Sequence, residues 1–176
     1  MASGVKVRPR LPSLSAVTDS LLSPTLNMQA LCLRFSTSWN EPHFEKPLVT
    51  QAQAIQIYSR AYGEWHSPED LAAAQNIQGY IRHFLTNSDG AFYVGQGGDV
   101  VSARDSVSYF ALSDAKRRAL GIPEIDKHLY ALGNWWMIEA LCALYAVTGD
   151  AATLQDAERS ADWISIHRAL PHGGYV

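Results

Sequence analysis

The chain has 176 residues, 47% of them apolar, and a formal net charge of −3. That is enough to bury the core of one domain, and it leaves no excess of positive charge to hold nucleic acid or an anionic membrane. No apolar run approaches the roughly 18 residues that a membrane span requires.

Residues 1–34 carry no clean periodicity. Pro9, Pro12 and Pro24 punctuate them, serines keep them polar, and Lys6, Arg8 and Arg10 precede the first acid, Asp19. Organelle transit peptides share that composition, but no amphipathic arginine helix follows. Residues 1–34 are therefore expected to form an irregular or disordered leader, with a weak helix through Leu26, Ala30 and Leu33, and residues 35–176 the folded part. Phe35–Lys46 packs aromatics, an imidazole, carboxylates and an amine into a non-periodic segment, the composition of a site loop.

A helical hairpin follows, at about 48–86. Leu48, Ala52, Ile55, Tyr58 and Tyr62 recur at helical spacing, and Gly63–His66 interrupt them. Ser67-Pro68-Glu69-Asp70 opens a second helix with an N-cap serine, a proline at the first helical position and acids in the first turn. Leu71, Ala74, Ile77, Ile81 and Phe84 form its stripe, and Asn87-Ser88-Asp89-Gly90 end it. Gly95–Asp99 reads as a flexible loop. Val100–Leu112 reads as a short strand pairing back with 91–94, with Val107, Tyr109 and Ala111 on one face. Ser113-Asp114 start a small helix that reaches Leu120.

A second hairpin is expected at about 134–168. Trp135, Ile138, Leu141, Cys142 and Tyr145 are its first stripe, Asp150 its internal N-cap, and Leu154, Ala157, Ala161 and Ile164 its second stripe. The two hairpins are copies. A gapless shift of 83 positions (134 − 51) lays Gln51 on Asn134, Tyr62 on Tyr145, Ala74 on Ala157, Ile81 on Ile164, Gly90 on Gly173 and Phe92 on Tyr175. A repeated hairpin cannot bury its apolar face alone and needs neighbours. Because the second copy stops at Val176, where the first runs on, the expectation is an incomplete stack with exposed apolar helix faces.

Chemistry concentrates near the starts of the two copies. Glu45 could serve as general acid or base, His43 as proton shuttle and Lys46 as counter-charge; the same residues could equally be a junction that caps the coming helix. Gln51 and Asn134 stand at equivalent helix mouths, where an amide binds a ligand hydroxyl or caps the helix. Gln96 and Asp99 flank a Gly-rich run that lacks the strand and helix of a dinucleotide fingerprint. Trp135 offers a stacking face to a ring-shaped ligand, although most of the five tryptophans and eight tyrosines should be core. Asp126 and His128 alone are too few to bind a metal. Cys32 and Cys142 lie far apart, outside any CxxC or metal spacing. Both are expected to be reduced thiols in a cytoplasmic setting, Cys142 in a helix core. Neither a metal nor another cofactor is expected.

The run Trp39-Asn40-Glu41-Pro42-His43-Phe44-Glu45-Lys46 resembles the W-x-x-P-H-F-E-K motif of the DUF255 family, the thioredoxin-domain-containing, spermatogenesis-associated protein 20-like proteins. Thr50-Gln51-Ala52 stands where that family usually has Asp-Asn/Gln-Ala. Gly90-Ala91-Phe92-Tyr93-Val94-Gly95-Gln96-Gly97-Gly98-Asp99 is similar to its G-[GA]-F-Y-x-x-Q-D-A-D segment, with the first aspartate replaced by Gly97. Asn134-Trp135 and Gly173-Gly174-Tyr175 resemble its later helix start and loop. The resemblance implies an all-α, incomplete (α/α)₆ toroid, similar to six-hairpin glycosidases and epimerases. It also implies a mouth lined by His43, Glu45, Lys46, Gln51, Gln96, Asp99 and Asn134. The implied function is carbohydrate processing or binding, inactive in this chain alone, with Glu45 and His43 as the acid/base pair and a sugar or small molecule as ligand. The alternative is a non-enzymatic partner-binding module beside a thioredoxin-like domain, whose redox motif this chain lacks.

Overall fold

The computed structural model describes residues 34–35, 42–100 and 105–176. Residues 1–33 of the expected 1–34 leader and the Trp39-Asn40-Glu41 part of the motif lie outside the described residues, as does Cys32. In chain order the elements are β1 (Arg34–Phe35), β2 (Pro42–His43), β3 (Lys46–Pro47), α1 (Leu48–Trp65) and α2 (Pro68–Tyr80). A π-helical turn, Ile81–Leu85, extends α2. Then come β4 (Gly95–Gln96), α3 (Ser106–Phe110), α4 (Asp114–Leu120), β5 (Ile125–Asp126), α5 (Ala131–Thr148) and α6 (Ala151–His167).

The 83-residue repeat is reproduced element by element. Residues 48–65 of α1 map onto 131–148 of α5, and Pro68, the first residue of α2, onto Ala151, the first of α6. The bridge between Thr86 and Phe92 recurs between Ala169 and Tyr175. Helices α1 and α5 pack on each other, and each also packs on its own hairpin mate. They are therefore an inner pair, with α2 and α6 outside. One apolar cluster joins the layers, with Leu48, Ile55, Ile77, Met137, Leu141 and Leu144 among its buried members. Burying each of these larger side chains stabilises the fold by about 1.5–3 kcal/mol.

Helix starts follow the sequence signals. Asp150 caps α6: its carboxylate accepts from the Ala152 backbone N–H at 3.2 Å and from the Thr153 hydroxyl at 2.7 Å. Ser67 precedes Pro68 as expected, but its hydroxyl donates to Glu69 and makes no backbone cap.

The strand expected within Val100–Leu112 is a helix where it is described. Asp105 accepts from the Ser108 backbone N–H at 2.7 Å and starts α3. Three apolar residues spaced by two also fit a single helical turn, and the N-cap aspartate decides between the two. The sheet at this place is no hairpin. Strands β3, β4 and β5 form an antiparallel three-stranded sheet in the order β3-β4-β5, with Lys46 opposite Gln96 and Gly95 opposite Asp126. The supposedly flexible Gly95–Gly98 run thus supplies its central strand. A Cβ at Gly95 would lie 2.6 Å from the Lys46 carbonyl oxygen, so only glycine allows this approach.

On α5 the buried residues are Asn134, Met137, Ala140, Leu141 and Leu144, whereas Trp135 is 60% exposed and Cys142 is exposed. The expected stripe is therefore displaced around the helix. α5 is apolar nearly all round, so periodicity cannot choose its inward face.

Candidate functional site

The three-stranded sheet sits at the N-terminal ends of α1 and α5. The Leu48 N–H donates to the Val94 carbonyl at 2.7 Å, and the Val94 N–H donates to the His128 carbonyl at 3.1 Å. These bonds bring the loops before both inner helices to one end of the hairpin pair, the mouth.

Four residues expected to face a ligand are buried there. Lys46 is 1% exposed; its ammonium donates to the Phe44 carbonyl at 3.3 Å and lies 4.7 Å from the centre of the Phe110 ring. These contacts secure the 44–46 turn beneath α3. Gln96 is 3% exposed, accepts from the Tyr80 hydroxyl at 2.8 Å and donates to the Pro123 carbonyl at 3.0 Å. Gln51 and Asn134 have no exposed surface. Asn134 accepts from the Phe92 N–H at 2.7 Å and donates to the Phe92 carbonyl at 3.1 Å, so the second copy grips the loop of the first. The binding role expected of Lys46, Gln51, Gln96 and Asn134 needs polar atoms open to a ligand, and in this structure these side chains lie inside.

Glu45 and Asp99 are exposed. A Cβ on Gly98 would be 3.2 Å from the Glu45 nitrogen, so the two carboxylates ride on abutting loops. Asp99 also accepts from the Ser106 hydroxyl. The Phe44 and Phe110 rings stack at 4.3 Å beneath this pair. His43 lies in β2, its backbone paired with Arg34; its imidazole is outside the described part. Trp135 is available for stacking, but on the flank of α5.

The sequence reading passed over Asp126 and His128 as too few for a metal, and the structure joins them. The His128 ring Nδ1 lies 2.5 Å from an Asp126 carboxylate oxygen, which also accepts from the His128 backbone N–H. Those two bonds, backbone first, hold the Asp126 carboxyl below its ordinary value. With Asp126 ionised, the neutral ring carries its proton on Nδ1 and leaves Nε2 free to accept one. The Tyr130 ring lies parallel to the imidazole at 6.2 Å and is 60% exposed. The signal was present in the repeat: the 83-residue shift lays His43 on Asp126 and Glu45 on His128.

Two hollows flank the dyad. One, of about 660 Å³, runs along Ile122–His128 and includes Glu124 and Asp126. The other, of about 400 Å³, is nearly all apolar, lined by Leu48, Phe92, Val94, Tyr130, Leu132 and Val176 among others. Among the described residues no group of three His, Cys, Asp or Glu side chains could hold a metal ion. No described helix is long and apolar enough to cross a membrane.

No family model matches the chain, and no curated protein does. Solved structures do. A sugar epimerase from a ruminal bacterium is similar over 92% of this chain and 39% of its own, with a TM-score of 0.61 at 18% identity. Cellobiose 2-epimerase from Spirochaeta thermophila is similar over 74% of this chain and 28% of its own, with a TM-score of 0.57 at 22% identity. A family 76 α-1,6-mannanase of a Salegentibacter species, an inactive variant in complex with α-1,6-mannotetrose, covers 68% of this chain and 30% of its own, with a TM-score of 0.52 at 19% identity. At these identities the likeness is one of fold: the helical hairpins of an (α/α)₆ toroid. The chain spans well under half the length of these relatives.

Proposed function

We propose that the chain is part of a carbohydrate-processing toroid and that its ligand sits at the mouth, over the ends of α1 and α5. One observation carries the reading. The exposed Asp126–His128 dyad stands beside Tyr130, whose ring lies parallel to the imidazole and lines an apolar cleft. A sugar ring offers apolar C–H faces and a rim of hydroxyls, and suits such a surface. In this reading His128 Nε2 takes or gives a proton at a sugar carbon or hydroxyl. Asp126 fixes the ring and Tyr130 supplies a face. Glu45, with His43 before it, acts as acid/base partner from the equivalent position of the first copy. The epimerases and mannanase of like fold lend this support as analogy of architecture. The kinship with the DUF255 family, with a thioredoxin-like domain as companion, is part of the proposal and rests on the motifs around Pro42–Lys46 and Gly90–Asp99.

The chain alone is expected to bind a sugar weakly and to turn none over. Cellobiose and α-1,6-mannobiose titrated against it should shift the NMR signals of His128 and Tyr130. His128→Asn should weaken binding about tenfold, the cost of one good hydrogen bond. Glu45→Gln should abolish turnover in any longer protein that contains this chain and is active. The idea fails if neither sugar moves those signals, or if Glu45→Gln leaves such activity intact.

A further inference from the structure

An exposed histidine can serve a ligand only if its backbone is held still. Asp126 is paired with Gly95 in the sheet. Beyond it, three successive carbonyls are each taken by a different element. The His128 carbonyl accepts from the Val94 N–H at 3.1 Å. The Tyr130 carbonyl accepts from the Asn134 N–H at 3.2 Å and from its side-chain amide at 3.0 Å. The Leu129 carbonyl between them accepts from Arg168 Nη2 at 3.0 Å, just beyond the end of α6. The His128 and Tyr130 rings are exposed and parallel, while Leu129 packs on the cluster of Ala91, Trp163 and Ile164.

Arg168 is itself fixed. Its guanidinium lies over the ring of the buried Trp163, 4.9 Å from the centre, and Nη1 donates to the His167 carbonyl at 3.4 Å. A planar fork seated on an aromatic face keeps its donors aimed in one direction. The repeat adds a second case. The 83-residue shift lays Arg168 on Leu85 and Leu129 on Lys46, so cation and leucine have changed places between the copies. In the first copy Lys46, over the Phe110 ring, donates to the Phe44 carbonyl, and Leu85 is buried. In both copies one cation, seated on a ring, donates to a main-chain carbonyl of the segment before an inner helix. Those two segments carry Glu45 and His128.

We infer that Arg168 is the positioning residue of the Asp126–His128 dyad, an inference that rests on the reading of that dyad as the proton-transfer group of the mouth. Arg168 acts through the backbone. By holding the Leu129 carbonyl it fixes the peptide between Leu129 and Tyr130, and with it the angle at which the His128 and Tyr130 rings meet a ligand. The brace comes from the far end of the outer helix α6, so the last turn of one hairpin sets the geometry at the start of its own inner helix.

NMR on the 176-residue chain tests this. Arg168→Met keeps an unbranched stem over Trp163 and removes the donors. The His128 and Tyr130 ring resonances should shift, the contacts between the two rings should weaken, and cellobiose affinity should fall about fivefold, the order of one lost hydrogen bond. Arg168→Lys restores a donor and should return the resonances most of the way to the parent's. Asp150→Asn, which weakens the cap of α6 instead, should lower the melting temperature and leave the rings where they are. Should Arg168→Met fail to fold, the parent decides: the Arg168 guanidinium protons should exchange with water more slowly than those of the exposed Arg60. Unmoved rings in Arg168→Met, equal spectra for the Met and Lys variants, or exchange at Arg168 as fast as at Arg60 overturns the inference. Cellobiose separates the two claims: parent signals that ignore the sugar count against the reading of the mouth, whereas a responsive parent matched by Arg168→Met in affinity counts against Arg168.

Discussion

Asn134 shows how much one side chain holds. Its carbonyl oxygen accepts from the Phe92 N–H and the Ser160 hydroxyl, and its amide nitrogen donates to the carbonyls of Phe92 and Tyr130, all within 3.1 Å. Those bonds use the whole capacity of the group. Asn134→Ala should strand the buried Phe92 N–H and carbonyl together and cost about 2–5 kcal/mol in urea denaturation; a loss below about 1 kcal/mol would refute the clamp. Asp150 acts through pH. The Thr153 hydroxyl first, then the Ala152 N–H, hold its carboxyl below the ordinary 3.8. A depressed folded-state value means that its contribution is complete above 3.8 and is lost as pH falls through the folded value. Asp150→Asn should therefore melt below the parent at pH 7, and the gap should close in strong acid. A gap independent of pH would mean that charge plays no part. Residue identity told where Asn134 falls in the repeat. It could not tell that the amide points inward, because that depends on where the Phe92 loop passes.

Among the elements, the two hairpin turns differ at the residue that ends the inner helix, and the difference is informative. Gly149 ends α5 with φ 67°, and its N–H donates to the Tyr145 carbonyl. His66 ends α1 at the equivalent place with φ 55° and donates to Tyr62 in the same way. Left-handed backbone strains any residue with a Cβ by about 1–2 kcal/mol. The unfolded chain gains freedom with glycine. His66→Gly should thus stabilise the domain by a net of about 0.5 kcal/mol, readable as a raised midpoint in denaturant; a lowered midpoint would show that the ring contact to Tyr62 outweighs the strain. The same elements mark what was legible. Copies, caps and turn glycines could be read because each depends on a few local residues. The inward face of α5 could not, since an all-apolar helix has no stripe to read. The third strand, Ile125–Asp126, could not either, for two residues carry no period.

At the scale of the whole molecule, the stacked hairpins followed from one regularity, the 83-residue shift, whereas the toroid and its mouth were implied only by the resemblance of the motifs around Pro42–Lys46 and Gly90–Asp99. Half of the candidate site was visible as the Pro42–Lys46 cluster. The Asp126–His128 half was hidden in plain chemistry, because a histidine and an aspartate two apart mean little until a strand turns them toward a cleft. The buried chain of bonds from the Tyr80 hydroxyl to Gln96, and from Gln96 to the Pro123 carbonyl, joins α2 on the outside to the segment that carries this dyad. It works as a tie-rod through the hairpin pair: the mouth is braced from the far side. Removing a single oxygen in Tyr80→Phe, on a helix that no sugar would touch, should let β5 settle differently and move the His128 imidazole resonances. If those resonances stay put while only global stability falls, the rod carries weight but no position. If they move, selection on the mouth reaches residues on the outer wall.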